Sequence, residues 1–261
     1  MRPGNYPEQA ETYDRTRGAS PSVVRALVKR LGPAEGRSLL DVAGGTGNYG
    51  QVLAARGFAV TMVDAEPAML ARSVAKLGPG HAVVGDAAAL PIGEASVDAV
   101  MIVSAIHLFD DPAAAFAEAR RVIRHGPLVV MAFTLENLEP LFVYEYFEGA
   151  RPNEIRHHEQ DVVEMLQAAG FEDVERDRVV YVDRADGSLS ALHTDPYALA
   201  GEAYLRNTSF WHRTASDVRE RGLRALHEDL RSGRLAERVE DSMRTAGRSG
   251  HITAFAARPR G

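Results

Sequence analysis

A glycine-rich loop directly after a short apolar run is the strongest chemical signal in this sequence. The segment LLDVAGGTGNYG, residues 39–50, contains the spacing Gly45-x-Gly47-x-x-Gly50. Glycines at these positions let the backbone turn tightly and approach a ligand, and Asp64 follows the next apolar run, where an acid accepts hydrogen bonds from ribose hydroxyls. The loop alone is a weak signal, because dinucleotides such as NAD and other nucleosides both fit it.

Three further features favour a cationic amino-acid nucleoside over NAD. Asp41 precedes the loop at the end of the first predicted strand, where it repels a pyrophosphate and attracts an ammonium group. Asp86 follows the third strand, where an acid can accept a hydrogen bond from an adenine amino group. The final strands, around Val179 and Thr253, are predicted to form an antiparallel pair, unlike the second half of a dinucleotide fold. Each acid alone is equally well explained as a helix cap, but acids at three successive strand ends together indicate a ligand.

The loop and the acids need a sheet that brings them together. Short apolar runs alternate with segments of helical spacing, and Ser20 before Pro21 marks the start of the first amphipathic helix. Gly57 and Gly170 are expected to end two later helices. Strands separated by helices predict an α/β fold, a doubly wound (Rossmann-like), mainly parallel sheet of seven strands with an antiparallel last strand.

A long stretch near the C-terminus lacks strand periodicity. It runs from Asp183 to Ser249 and contains the helical pattern VRERGLRALHEDLRSGRL. A compact domain rarely tolerates so long a featureless loop, so the stretch is expected to be a helical insertion. The predicted organisation is a ligand-binding core of residues 1–182 and 250–261, with residues 183–249 as a cap over the substrate site.

Composition excludes several kinds of site and partner. The chain has no cysteine, which rules out disulfides, thiolate metal sites and a cysteine nucleophile. A formal net charge of -6 argues against nucleic acid as the partner. The apolar stretches are shorter than the roughly 20 residues of a membrane helix, and the first residues lack the apolar centre of a secretory signal. A cytoplasmic monomer or homodimer with a small-molecule substrate is expected, with neither nucleic acid nor membrane as partner.

An ordered set of motifs identifies a family resemblance. TYDRTR, LLDVAGGTGNYG, VTMVDAEPAML and VVGDAAALPIGEASVDAVMIVSAIHLFDDP together resemble the class I S-adenosylmethionine-dependent methyltransferases. Within that family they are most similar to the branch of ubiquinone and menaquinone C-methyltransferases. The resemblance extends from Tyr13 to Arg124, with one departure at Ala43, where many relatives have glycine. It implies S-adenosylmethionine as the cofactor.

The resemblance also implies a role for each part of the cofactor site. Asp41 and the glycine-loop backbone hold the methionine portion, Asp64 binds the ribose hydroxyls, and Asp86 recognises the adenine. The N-terminal motif folds over the cofactor, where Arg17 binds the methionine carboxylate or the substrate; a solvated helical arginine is the alternative. The predicted cofactor residues are Tyr13, Arg17, Asp41, Ala43, Gly44, Gly45, Gly47, Asp64, Ala65, Met69, Asp86, Ala87 and Ser104.

Methyl transfer from a sulfonium requires the nucleophile to be aligned with the methyl–sulfur bond. It does not require a residue that forms a covalent intermediate. His107, just beyond the fourth strand, is the candidate catalytic base, because histidine titrates near neutral pH and the family often has one here. The alternative is a polar residue that starts a helix and bonds to the backbone. The predicted substrate-facing residues, from FVYEYFE and AYLRNTSFWHR, are Tyr144, Glu145, Tyr146, Tyr204, Phe210, Trp211 and His212.

These features predict S-adenosylmethionine-dependent methyl transfer to carbon or oxygen of a small, partly apolar metabolite, with specialised metabolism as an expected setting. Three alternatives stay open: an RNA methyltransferase, an NAD-dependent oxidoreductase and a non-catalytic cofactor-binding regulator. The adjacent histidines His157 and His158 point in different directions on any regular element, so no metal site is predicted.

Overall fold

A single seven-stranded sheet organises the part of the chain that the computed structural model describes, residues 12–150 and 157–261. Apolar runs supply its central strands, which are buried on both faces. The strands are β1 (Ser38–Val42), β2 (Ala59–Asp64), β3 (Ala82–Val84), β4 (Ala99–Val103), β5 (Leu128–Ala132), β6 (Phe171–Val179) and β7 (Ile252–Pro259).

The strand order confirms the predicted fold class. It is β3-β2-β1-β4-β5-β7-β6, and β1 pairs in parallel with both β2 and β4. β7 runs antiparallel to its neighbours β5 and β6. The order reverses beside β1, so the crevice at the carboxyl ends of β1 and β4 is the place where open sheets of this kind bind ligands.

Helices flank the sheet and begin where the sequence supplies caps. The Ser20 side chain accepts a hydrogen bond from the Ser22 amide (3.3 Å), with Pro21 in the first turn, as predicted. Gly57, at φ +98°, lies three residues beyond the end of α2, in the turn that follows it. The helices that precede β6 are α1 (Pro21–Leu31), which comes before β1, and then α2 (Asn48–Ala54), α3 (Pro67–Leu77), α4 (Pro112–Val122), α5 (Leu135–Leu138) and α6 (Glu159–Ala168).

The stretch between β6 and β7 is mostly helical from Leu189 onward. The predicted helical pattern corresponds to α11, which Gly233 ends at φ +84°. The helices are α7 (Leu189–Leu192), α8 (Pro196–Leu199), α9 (Glu202–Leu205), α10 (Ser209–Arg213), α11 (Ser216–Ser232) and α12 (Arg234–Ser249). The division into a core and a cap at residues 183 and 249 stays a prediction. Across the described ranges, no helix is long and apolar enough to cross a membrane.

Two apolar clusters cover the two faces of the sheet. One contains Phe116 and Leu166 and lies under α4 and α6. The other joins sheet residues such as Met101 and Met131 to residues of the 183–249 segment such as Leu226. The helical segment therefore shares its hydrophobic core with one face of the sheet.

Candidate active site

A cavity of about 460 Å³ opens at the carboxyl ends of β1, β2 and β4. The glycine loop forms one wall, and the 183–249 segment forms the opposite wall through residues such as Ser190 and Phe210. The acids Asp41 and Asp64 lie on the loop side, whereas the opposite side combines aromatic side chains such as Phe210 with polar ones such as Ser190. The cavity can therefore hold a polar ligand and a partly apolar one next to each other.

Asp41 lies at the centre of the polar side. Its side chain is buried, and within residues 12–150 and 157–261 its Oδ2 has no hydrogen-bond partner. Burial raises the pKa of Asp41 to about 8, and the neighbouring Asp64 carboxylate contributes to the rise. A buried carboxylate without a partner is costly, so this position fits a positively charged ligand group that hydrogen-bonds to Oδ2.

The glycine loop closes tightly around that carboxylate. A methyl group added at Gly44 would lie 2.7 Å from Asp41 Oδ2 and 2.7 Å from Met62 Cε. One added at Gly50 would lie 3.2 Å from the same Oδ2. Only glycine leaves room for the loop backbone at Gly44. The spacing seen in the sequence thus reflects a close approach between the loop and the acid beneath it.

Asp64 fixes the conformation of the loop. Its Oδ2 accepts a hydrogen bond from the Gly45 amide (2.8 Å), and its Oδ1 accepts one from the Glu66 amide (2.9 Å). Burial raises the pKa of Asp64, although these amide hydrogen bonds act in the opposite direction. Ala43 beside it adopts φ +57°, a left-handed conformation that favours glycine. Glycine would adopt this conformation without strain.

Other predicted cofactor residues line the same cavity beyond Asp64. Met69 is buried, whereas Asp86 is exposed and its Oδ1 accepts a hydrogen bond from the Ala88 amide (2.9 Å). Gly47, at φ +80°, is the one predicted cofactor residue outside the lining, because it packs on Ser73 beneath the loop. The predicted residues that do line the cavity are Tyr13, Arg17, Asp41, Ala43, Gly44, Gly45, Asp64, Ala65, Met69, Asp86, Ala87 and Ser104.

The N-terminal segment (residues 12–18) is bound to the glycine loop through Asp14. The Asp14 Oδ1 accepts a hydrogen bond from Thr46 Oγ1 (2.6 Å), and its Oδ2 lies 2.9 Å from Lys76 Nζ. Burial raises the pKa of Asp14, but the Thr46 and Lys76 contacts outweigh burial and the net pKa is lowered. This anchoring holds Tyr13 and Arg17 against the cavity.

His107 lies on the aromatic side, in a single 3-10 turn (Ile106–Leu108) that follows β4. Its Nδ1 is buried and, in the part of the chain that the structure describes, has no hydrogen-bond partner. Burial lowers the pKa of His107 to about 4, with the positive charges of Arg17 and Arg213 as further causes. The imidazole is therefore neutral near pH 7. Neighbouring Ser104 is held at φ +54°.

Of the predicted substrate residues Tyr144, Glu145 and Tyr146, only Tyr144 lines the cavity. Residues 142–145 form a 3-10 turn, which directs Tyr144 and Tyr146 differently. Tyr144 lines the cavity and contacts Phe210 edge to face, at 5.8 Å between ring centres. Tyr146 lies outside the lining, because its hydroxyl donates to Asp229 Oδ2 (2.6 Å). Glu145 is mostly exposed and forms an ion pair with Arg238 (2.7 Å), so it does not face the cavity.

Two further predicted substrate residues lie elsewhere. Tyr204 packs under the Arg184 guanidinium at 5.5 Å, and Trp211 under that of Arg219 at 5.2 Å; neither lines the cavity. Trp211 is buried in the shared core. His212 is exposed at the cavity rim, where its Nε2 donates to the Arg206 carbonyl (2.8 Å).

Several lining residues were not predicted from the sequence. Tyr49, Asp186, Ser188, Ser190, Asn207 and Thr208 all line the cavity. Local signals were present, since Ser188 caps α7 and the Asp186-Gly187 pair is a typical turn. No local sequence pattern shows that this turn contacts α2, the helix that follows the glycine loop. The turn and α2 are more than a hundred residues apart in the chain.

Comparison with known proteins is consistent with this geometry. The model of the methyltransferase domain family matches residues 40–131. An uncharacterized methyltransferase of Mycobacterium tuberculosis is 40% identical over 114 residues, which cover 44% of this chain and 45% of that one. The chain thus spans about half the length of the mycobacterial relatives that it matches.

A longer match comes from the ubiquinone/menaquinone biosynthesis C-methyltransferase of Acidiphilium cryptum. It is 33% identical over 200 residues, which cover 65% of this chain and 78% of that one. The chain belongs to the class I S-adenosylmethionine-dependent methyltransferases. The family resemblance predicted from the motifs, and its cofactor S-adenosylmethionine, are thereby confirmed.

The fold of this methyltransferase extends beyond the matched motifs. A solved structure from Anabaena variabilis, described as a methyltransferase from an antibiotic biosynthesis pathway, superposes with a TM-score of 0.82 at 24% identity. The match covers 93% of this chain and 98% of that one. The helical stretch between β6 and β7 is thus part of a fold that both proteins share.

Proposed function

We propose that this protein transfers the methyl group of S-adenosylmethionine to carbon or oxygen of a small, partly apolar metabolite. The observation that carries the proposal is the buried Asp41 carboxylate, whose Oδ2 is enclosed by the glycine loop and lacks a partner among the described residues. The bound cofactor supplies a methyl group activated by a positively charged sulfur. Its ammonium group and sulfonium suit this negatively charged, narrow position.

In this proposal, residues on the polar side of the cavity hold each part of the cofactor. Asp41 binds the ammonium group, and Arg17, which lines the same region, binds the carboxylate. Asp64 faces the ribose while it holds the loop through the Gly45 amide. Met69 and Asp86, which line the cavity beyond Asp64, would hold the adenine ring and its amino group. Held in this way, the cofactor would present its methyl group to the acceptor side of the cavity.

The other side of the cavity suits an apolar acceptor. Phe133, Leu138, Tyr144 and Phe210 line it, and all but Tyr144 are buried. These side chains exclude water and orient the acceptor, and orientation can supply about 7–11 kcal/mol of a reaction barrier. The net charge of -6 favours such a metabolite over RNA as the acceptor.

His107 is proposed to orient the acceptor through a hydrogen bond from or to its buried Nδ1. With a pKa of about 4, its imidazole is a weak base near pH 7, whereas efficient general bases have pKa values near the working pH. His107→Ala is therefore expected to lower kcat by about 10-fold, the value of one hydrogen bond. His107→Gln, which keeps a hydrogen-bonding group, should retain most of the activity.

Steady-state kinetics with an accepted substrate would check this assignment. His158→Ala is the matched control, since His158 is mostly exposed and lies outside the cavity lining. A base makes a larger contribution, about 10²–10⁴-fold. If both His107 variants lose that much, His107 acts as the base suggested by the family and the orienting role is wrong.

Ligand-dependent thermal unfolding tests the proposed function itself. S-adenosylhomocysteine at 100 times its Kd should stabilise the protein by about 2.7 kcal/mol. For a chain of this size, that corresponds to a rise in Tm of roughly 5–10 °C. Protection by NAD in place of S-adenosylhomocysteine would overturn the proposal. Transfer of a labelled methyl group to metabolites of an extract then distinguishes an enzyme from a non-catalytic binder.

A further inference from the structure

A buried carboxylate from the 183–249 segment reaches the cofactor side of the cavity. Asp186 is 4% exposed and lies in the turn between β6 and α7. Its Oδ2 accepts a hydrogen bond from the Tyr49 hydroxyl (2.5 Å), and its Oδ1 accepts one from the Ser188 amide (3.2 Å). Tyr49 belongs to α2, which begins directly after the glycine loop. The two hydrogen bonds fix the position of the Asp186 charge.

The same carboxylate faces Arg17. The Arg17 Nη1 lies 4.0 Å from Asp186 Oδ1, and the Arg17 side chain is only 16% exposed. Burial lowers the pKa of Arg17, but Tyr13 and Asp186 outweigh burial and the net pKa is raised. A separation of 4.0 Å is too long for a hydrogen bond. Asp186 therefore attracts the guanidinium without taking up one of its N–H donors.

The backbones around these residues also fit closely. A methyl group added at Gly187, which has φ +63°, would lie 2.0 Å from the Thr16 carbonyl oxygen and 3.0 Å from Arg17 Cδ. One added at Gly18 would lie 3.2 Å from the Ala185 carbonyl oxygen. The turn that carries Asp186 thus packs directly on the N-terminal segment, and Arg17 lies between this turn and the cavity.

We propose that Asp186 is a positioning residue that holds Arg17 where the carboxylate of the cofactor binds. This inference rests on the proposed function. Asp186 acts through Arg17 and through Tyr49, which also lines the cavity. Ser188 and Ser190, which follow in the chain, line the acceptor wall. The turn and the start of α7 therefore contribute to both the cofactor side and the acceptor side of the cavity.

The test compares two ligands that differ in the amino-acid end, which carries the carboxylate assigned to Arg17 and the ammonium group assigned to Asp41. S-adenosylhomocysteine carries the amino-acid end, and 5′-methylthioadenosine lacks it. By calorimetry, Asp186→Asn is expected to weaken S-adenosylhomocysteine binding by about 10-fold, as for loss of one buried charged contact. Binding of 5′-methylthioadenosine should change by less than about 2-fold. A merely structural role would weaken both ligands equally.

Further variants separate positioning from other effects. Arg17→Ala should likewise weaken binding of S-adenosylhomocysteine and not that of 5′-methylthioadenosine. Adding Asp186→Asn to Arg17→Ala should weaken binding little further, because the effects of residues that act as a unit are not additive. Tyr49→Phe keeps the charges of Asp186 and Arg17 but removes the hydrogen bond from the Tyr49 hydroxyl to Asp186. Binding of S-adenosylhomocysteine is therefore expected to weaken by an intermediate factor of about 3. Asp195→Asn is the matched control, because Asp195 caps α8 and pairs with Arg184 outside the cavity lining.

Each outcome supports or overturns the inference. Equal weakening of both ligands by Asp186→Asn, or no weakening of either, would show that Asp186 does not position Arg17. If Asp186→Asn does not fold, Tyr49→Phe and Arg17→Ala give the same comparison, and the absence of selectivity there overturns the inference. Failure of the wild-type protein to bind either ligand contradicts the proposed function instead.

Discussion

Asp41→Asn is expected to weaken binding of S-adenosylhomocysteine by about 10- to 100-fold, the largest effect of any single charge in the cavity. Asparagine keeps the shape of the side chain but removes the negative charge that faces the ligand ammonium. Oδ2 of Asp41 has no partner among the described residues, so the whole hydrogen-bonding capacity of this oxygen is available to the ligand. Calorimetry of both proteins measures the difference directly.

Asp98→Asn is the matched control for this substitution. Asp98 lies at the opposite end of the sheet, where its carboxylate accepts hydrogen bonds from the Ser38 amide and hydroxyl (both 2.8 Å). That variant should be less stable but should bind the ligand as the wild-type protein does. Equal affinities of Asp41→Asn and wild type would remove the basis of the proposed function.

The raised pKa of Asp41 makes the same binding step depend on pH. Only the ionised carboxylate attracts the ammonium group, and in the ligand-free protein the pKa of Asp41 is about 8. Binding below that value releases a proton, so affinity should fall by up to about 10-fold per pH unit as the pH decreases from about 8. Calorimetry in two buffers of different ionisation enthalpy detects the released proton. Asp41→Asn should show neither effect.

The stability of the ligand-free protein should change with pH in the opposite sense. A carboxyl whose pKa is higher in the folded than in the unfolded protein favours the protonated folded form. The free energy of unfolding of the wild type therefore falls as pH rises from about 4 to about 8, relative to that of Asp41→Asn, and the difference is constant above that range. A difference that stays constant from about pH 4 to about pH 8 would contradict the burial of this charge.

Gly44→Ala is expected to remove measurable binding of S-adenosylhomocysteine. The new methyl group would meet Asp41 Oδ2 and Met62 Cε at 2.7 Å, a distance that forces the loop or the carboxylate to move. Crowding of this kind lowers the free energy of unfolding by about 1–3 kcal/mol. Denaturant unfolding measures that loss, and calorimetry on the folded variant measures binding.

Gly247→Ala provides the comparison for Gly44→Ala. Gly247 lies within α12, and a methyl group added there meets no other atom within 4 Å. Alanine is the better helix former, so this variant should be stabler by about 0.5–1 kcal/mol and should bind the ligand normally. Normal binding by Gly44→Ala would show that the loop does not need to approach Asp41 closely.

The sheet could be predicted from the sequence because each of its elements has a local signal. Short apolar runs predicted the strands, and Ser20 with Pro21 predicted the start of α1, which the structure confirms. The acids Asp41 and Asp64 could be placed at one edge because parallel strands end there together. Local patterns and the architecture they imply were sufficient for this half of the cavity.

The opposite half could not be predicted, because contacts between distant parts of the chain determine it. The turn at residues 142–145 is too short for helical periodicity, so the sequence did not show that Tyr144 and Tyr146 point to different places. Asp186 and Tyr49 are 137 positions apart, and neither has a local pattern that identifies the other. The side of the cavity that is proposed to bind the acceptor therefore depends on tertiary packing.

The shared hydrophobic core limits how ligands can enter. Leu199, Leu205 and Leu226 are fully buried in one cluster with Met101 and Met131 of the sheet. Exposing each such side chain to water costs about 1.5–3 kcal/mol. Detaching all helices of the 183–249 segment from the sheet would therefore cost most of the free energy of unfolding of a typical domain. For the proposed reaction, we therefore expect acceptor entry and product exit to use local movement at the cavity rim. In the proposed reaction, we expect turnover to depend on the movement of a few rim residues and not on that of a hinged domain.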